Sequence, residues 1–239
     1  MSAQPVTSVA EDFSEALAFL QERGIVSVPP PQEVVENARR IHSATYSLIL
    51  WRFRLRRLPT HGQVFIEEIA SDALQILPQI MMGYSKTARL LTRGIVENTL
   101  RHLYFSDHPV EFEWMNRDKK WHIKIQDLFE YARSHPIVSK SEERFDAINR
   151  LSALYSELSE AIHGRRVQDL EMRLALSKIK YADADAKTEA RVIRRCAESC
   201  NFVLALFHRG KMAAFQTEDR RIILRSMPPQ ARRVWKEWP

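Results

Sequence analysis

The stretch SKTARLLTRGIVENTLRHLYFSD, residues 85–107, decides the fold class. Leu91, Ile95, Val96, Leu100 and Leu103 recur at helical spacing and make one apolar face. Arg93, Glu97 and Arg101 fall at successive i, i+4 positions along a second line, so one carboxylate stands between two guanidinium groups. Ser85 is placed to cap this helix, and the His108-Pro109 pair to stop it. Such a ladder is either an exposed run of intrahelical ion pairs or a half-buried polar site, and the residues alone leave both open.

The helical reading extends along the chain. Six glycines in 239 residues and no alternating strand pattern predict an all-α protein, a helical bundle. A helix over 11–23 stops at Gly24, and IVSVPPPQ follows as a linker, because consecutive prolines cannot propagate a helix. A long helix over 32–58 ends at Pro59. The apolar stretch GQVFIEEIASDALQILPQIMMGY makes the next one, bent near Pro78. After residue 107 come helices over 123–133, 141–164, 167–181 and 187–215, then RRIILRS and the proline-bounded PPQARRVWKEWP. This divides the chain into an N-terminal helical segment (1–59), a central bundle (60–215) and a basic C-terminal tail (216–239).

The 45% hydrophobic content can fill a real core. No apolar run approaches the roughly 18 residues that a membrane-spanning helix needs. MSAQPVTSVAEDF lacks the basic and apolar regions of a secretory signal, so a cytoplasmic protein with no membrane partner is expected. Cys196 and Cys200 lie one turn apart without a second pair to complete a zinc site, and they read as reduced thiols. No phosphate-binding glycine loop, paired catalytic carboxylates or serine-histidine-aspartate order is present, and no metal or cofactor is expected.

The net charge of +6 and pI near 9.4 fit an RNA partner, and the charge is unevenly distributed. Residues 1–38 are acidic and the last thirty or so basic. WRFRLRRL, 51–58, interleaves Arg52, Arg54, Arg56 and Arg57 with Trp51 and Phe53, which suits phosphate binding and base stacking. The same arginines also suit a solvated helix C-terminus that complements its dipole. Arg165 and Arg166 are further candidates for nucleic-acid phosphates.

YSELSEAIHGRR, 155–166, belongs to a second informative helix. Leu151, Leu154, Leu158 and Ile162 form its apolar face, and Asn149, Ser152, Ser156, Ser159 and His163 follow a polar line beside it. Together YSKTARLLTRGIVENTLRHLYFSDHPVEFEWM, 84–115, and YSELSEAIHG, 155–164, resemble HEPN-like families. Those families pair an arginine-glutamate helix with a later tyrosine-serine-serine-histidine element. The resemblance covers roughly residues 80–165. It implies a helical bundle, often a homo-oligomer or a complex with another defence-system protein, of toxin–antitoxin or antiviral defence. Many such proteins cleave RNA without a metal. The resemblance then implies His163 as acid or base in attack of a ribose 2′-hydroxyl on its neighbouring phosphate, with Arg93 or Arg101 steadying the phosphate charge. Glu97 and Ser159 complete the candidate set.

Ribonuclease members carry an arginine with four to six residues between it and the histidine, and here that window holds Ser156, Glu157 and Leu158. The spacing recurs elsewhere, as Arg54 or Arg56 with His61, Arg101 with His108, and Arg117 with His122 in RDKKWH. A ribonuclease effector, a non-catalytic module for RNA, a nucleotide or a protein, and a helical adaptor or antitoxin are the three readings.

Overall fold

A computed structural model of the chain describes residues 8–142, 144–163 and 175–237, without the side chains of Glu142 and His163. The described residues form twelve α-helices and one short 3₁₀ turn, Leu176–Lys178, and include no strand. This is the all-α bundle that the sparse glycine and missing alternation predict. In chain order the helices are α1 (Val9–Glu22), α2 (Gln32–Arg54), α3 (Thr60–Met81), α4 (Ser85–Asp107), α5 (Pro109–Arg117) and α6 (Ile125–Ser134). There follow α7 (Pro136–Glu142), α8 (Ala147–His163), α9 (Asp183–Phe207), α10 (Arg209–Met212), α11 (Thr217–Ser226) and α12 (Pro229–Glu237). Among the described residues no helix is long and apolar enough to cross a membrane.

Five long helices make the centre, and side-chain pairs fix their directions. Asn37 of α2 bonds Asp183 at the start of α9, and Trp51 near the end of α2 bonds Asn201 near the end of α9, so these two are parallel. Arg89 of α4 pairs with Glu189 of α9, and His102 of α4 meets His208 just past α9, which makes α4 parallel to α9 as well. α3 runs the other way, with Gly62 beside His102 and Asp72 over Gly94. α8 is antiparallel to α9, because Phe145 just before α8 packs on Phe202 whereas Glu157 pairs with Arg195. Consequently α8 is antiparallel to α4.

One hydrophobic core joins these helices to the flanking segments. Leu20 of α1, Trp51 of α2, Ile95 of α4, Leu154 of α8, Phe202 of α9, Ile223 of α11 and Val234 of α12 all belong to it. The described parts of segments 1–59 and 216–239 therefore share this core with the described part of 60–215. The C-terminal residues expected as a basic tail are two helices whose Ile223, Met227, Ala231 and Val234 are buried.

Several element ends differ from the local expectation. Ser85 does not cap α4 but is its buried first residue, because the turn from α3 is closed by backbone bonds from Gly83 to Ile80 and from Tyr84 to Gln79. Gly83 takes φ +86, and a Cβ there would meet the Lys180 carbonyl oxygen at 2.4 Å, so only glycine fits. α2 ends at Arg54, four residues early, where Arg54 turns to Asp219 of α11. The 187–215 helix is interrupted at His208, whose ring is drawn to His102. Of the helix expected over 167–181, the part within the described residues, 175–181, holds only the 3₁₀ turn, with Leu176 exposed. α5 was not foreseen. Pro109 opens it as a first-turn proline, and Phe112 docks between Phe65 and Phe105. Pro78 sits in the last turn of α3, where its missing N–H removes a single bond and the helix continues to Met81.

Candidate functional site

Arg93, Glu97 and Arg101 lie where α4 faces α8. The Arg93 Nε is 3.1 Å from Glu97 Oε1, a charge contact without hydrogen-bond alignment. Arg101 Nη2 is 3.6 Å from the other oxygen, Oε2. The ladder is completed by Tyr155 of α8. Its hydroxyl donates to Glu97 Oε1 at 2.9 Å and accepts from Arg93 Nη2 at 2.6 Å, while the guanidinium lies 4.8 Å from the ring centroid. Arg93 and Glu97 are each 21% exposed and Arg101 is 39% exposed, so the ladder is half-buried and tied to a second helix. Burial pushes the Tyr155 phenol up, and Glu97 adds to this against Arg93, so the hydroxyl stays a donor.

The antiparallel register separates the other candidates. His163 ends α8 two turns, about 12 Å, beyond Tyr155, toward the N-terminal half of α4 and past Arg93. Arg101 lies two turns from Arg93 in the opposite direction. Arg101 and the backbone end of α8 at His163 are therefore on opposite sides of Glu97. Arg93 is the arginine on the histidine's side. The His163 side chain, Arg165 and Arg166 lie outside the described residues.

The polar line on α8 is not one continuous surface. Asn149 accepts from Arg133 Nε at 3.0 Å, and exposed Ser156 donates back to the Ser152 carbonyl. Ser159 Oγ, one turn past Tyr155, is buried without a hydrogen-bond partner among the described residues.

In WRFRLRRL the residues divide by burial. Trp51 is fully buried and donates its indole N–H to Asn201 Oδ1 at 2.7 Å, so it stacks on no base. Arg54 is held by Asp219 and by Gln216, which corrects its place among the open phosphate-binding residues. Arg56 covers the Phe53 ring, with 5.3 Å from guanidinium carbon to centroid, and Arg52, Arg56 and Arg57 are exposed. In RDKKWH, Arg117 pairs with Glu113 on exposed α5, and His122 turns its Nδ1 to the Lys120 carbonyl. Cys196 and Cys200 are reduced and fully buried, their sulfurs 3.8 Å apart.

Residue-level reading missed two further polar groups. His102 Nδ1 donates to the Gly62 carbonyl at 2.8 Å, which leaves its Nε2 to accept from His208 Nε2 at 2.7 Å. Burial lowers His102 to about 4 and His208 to about 2, so both rings are neutral links between α3, α4 and the end of α9. Asp72 lies over Gly94, and burial, with Glu68 adding to it, raises its carboxyl to about 7. Nothing local marks these pairs, because each joins distant segments. Tyr155 was visible as the first letter of its motif, but its partners depend on the packing of α8 on α4. Among the described residues no cluster of three His, Cys, Asp or Glu side chains could hold a metal. The chain matches no protein-family model, no curated protein and no solved structure.

Proposed function

We propose that the chain is a HEPN-like helical module of a bacterial defence or toxin–antitoxin system, and that it binds RNA without cutting it. The observation that carries this reading is the convergence of three side chains on Glu97. Arg93, Arg101 and Tyr155 all converge on it, so the charges that a cleavage site would aim at a phosphate are turned on one another. In this role the cluster fixes α8 on α4. Exposed Arg52, Arg56 and Arg57 are free of the ion pair that holds Arg54, and they take the RNA backbone as salt-dependent phosphate contacts.

The test is direct. Wild-type protein incubated with RNA in chelator leaves no 2′,3′-cyclic phosphate, yet it retards RNA in a gel and loses affinity as salt rises. Replacing Arg52, Arg56 and Arg57 together by alanine lowers the log-log salt slope by about 2, from about 0.7 for each single-strand phosphate contact. An unchanged slope, or no RNA binding at low salt, defeats the proposal.

A ribonuclease reading is favoured by two observations, Arg93 on the histidine's side of the cluster and the Ser159 hydroxyl between Tyr155 and His163, which has no hydrogen-bond partner among the described residues. In that mechanism His163 moves the 2′-hydroxyl proton and Arg93 leaves Glu97 to meet the phosphate, or a second subunit supplies the missing arginine. Cyclic-phosphate product that disappears in His163→Ala establishes this reading in place of the first.

A further inference from the structure

An open cleft of about 420 Å³ lies between the middle of α2, the middle of α9 and the turn that joins α11 to α12. Arg40, Arg194, Arg225 and Arg232 line it against a single carboxylate, Glu198. Two of these guanidiniums have loose carboxylate partners on their own helices, Arg40 with Glu36 at 3.6 Å and Arg194 with Glu198 at 3.5 Å. Arg225 and Arg232 pair with no carboxylate among the described residues.

The helix that closes the cleft adds a second, independent indication. The first turn of α12 holds no acidic residue and includes Arg232, so a guanidinium sits at the positive end of its own helix dipole. The neighbouring α11 follows the ordinary rule, with Glu218 and Asp219 in its first turn. An anion held by Arg225 and Arg232 offsets the unfavourable Arg232 charge at this helix end. The walls are preformed. Asn201 of α9 donates to Ser226 at the end of α11 and to Ser47 of α2, pinning three elements at the base of the turn. The cleft volume falls within the range of small-molecule sites and leaves room for an organic body beside a phosphate or diphosphate.

We propose that this cleft binds a small phosphate-bearing ligand, with Arg225 and Arg232 as its principal contacts. The site lies outside α4 and α8 and away from Arg52, Arg56 and Arg57, so it stands or falls separately from RNA binding. Planar guanidinium forks suit phosphate oxygens bidentately, and each such charge-assisted contact is worth on the order of ten- to a hundredfold in affinity.

Calorimetry on the full chain tests this with inorganic phosphate, pyrophosphate, ADP, adenosine and polyglutamate as probes. ADP and pyrophosphate bind and adenosine does not. Tighter binding of ADP identifies a phosphate ester whose body fills the cleft, and equal binding identifies a bare diphosphate. Arg225→Ala and Arg232→Ala each weaken ADP by about tenfold or more. The Arg52/Arg56/Arg57 triple alanine variant leaves ADP unchanged while it alters RNA binding, which separates this proposal from the previous one. If Arg232→Ala fails to fold, Arg225→Gln at the exposed end of α11 gives the same reading. Any one of four results overturns the proposal: no heat with any phosphate, adenosine as tight as ADP, ADP unaffected by the arginine changes, or tighter binding of polyglutamate than of ADP.

Discussion

At the scale of single residues, Tyr155 changes what the Arg93–Glu97–Arg101 line means. An exposed i, i+4 pair is worth only a few tenths of a kcal/mol, and a solvated ladder would contribute little. Tyr155 brings a hydroxyl that satisfies the carboxylate and a ring that receives the guanidinium, across an interface where Glu97 is mostly shielded. Tyr155→Phe keeps the ring and removes both hydrogen bonds, so it costs about 1–2 kcal/mol, read as a lower urea midpoint. In Glu97→Gln the same Tyr155→Phe change costs measurably less, because the charged acceptor is gone. Equal costs in both backgrounds would show that the hydroxyl and carboxylate do not act together. The charged line was legible in the sequence because its three members are local. Tyr155 was not, because its contacts depend on how two distant helices slide past each other.

At the scale of elements, α3 and α4 approach closely because Gly94 leaves space for Asp72. A Cβ at Gly94 would stand 2.5 Å from Asp72 Oδ2, so Gly94→Ala destabilises by about 1–3 kcal/mol, and Asp72→Ala in the same chain restores most of it. Asp72 and the His102–His208 pair also give this region opposing pH dependences. Both histidines are depressed below their ordinary value of 6.5, so their contribution is complete above that pH. It is lost as pH falls toward 4, where the unfolded chain takes up protons that the fold refuses. Asp72 is raised, so it destabilises the fold increasingly as pH rises from about 3.8 to about 7. Two groups outweigh one, and the urea midpoint falls between about pH 7 and about pH 5, at up to about 1.4 kcal/mol per pH unit for each group. Asp72→Asn removes the opposing contribution, which makes the acid slope steeper and raises stability near pH 8. A shallower acid slope in that variant would refute the assignment. Element existence was readable from the 3.6-residue period, whereas several ends were set by remote partners. α2 stops where Arg54 meets Asp219, and α9 breaks where His208 meets His102.

At the scale of the whole molecule, the C-terminal residues show what charge counting leaves out. Segment 216–239 is basic, and read locally it is a basic tail. Its apolar positions nevertheless continue the helical period, and Ala231 and Val234 of α12 are buried in the common core. Trp235 is fixed by Arg209, which lies 5.0 Å from its ring and donates to its carbonyl at 2.5 Å, and Gln230 donates to the Arg144 carbonyl. Burial of an aliphatic and a large aromatic side chain is worth about 3 kcal/mol or more by area alone, and α12 also roofs the arginine cleft. Deleting residues 228–239 therefore lowers the melting temperature by several degrees and exposes apolar surface that binds a hydrophobic dye. Reversing only the exposed charges, with Arg233→Glu and Lys236→Glu, leaves the melting temperature within about a degree, since surface changes of this kind cost little. An unchanged melting temperature after the deletion would show that these residues do not stabilise the fold. A loss of phosphate binding in the deletion with retention in the charge-reversed chain would locate that ligand at α12 rather than in the diffuse field of the basic segment.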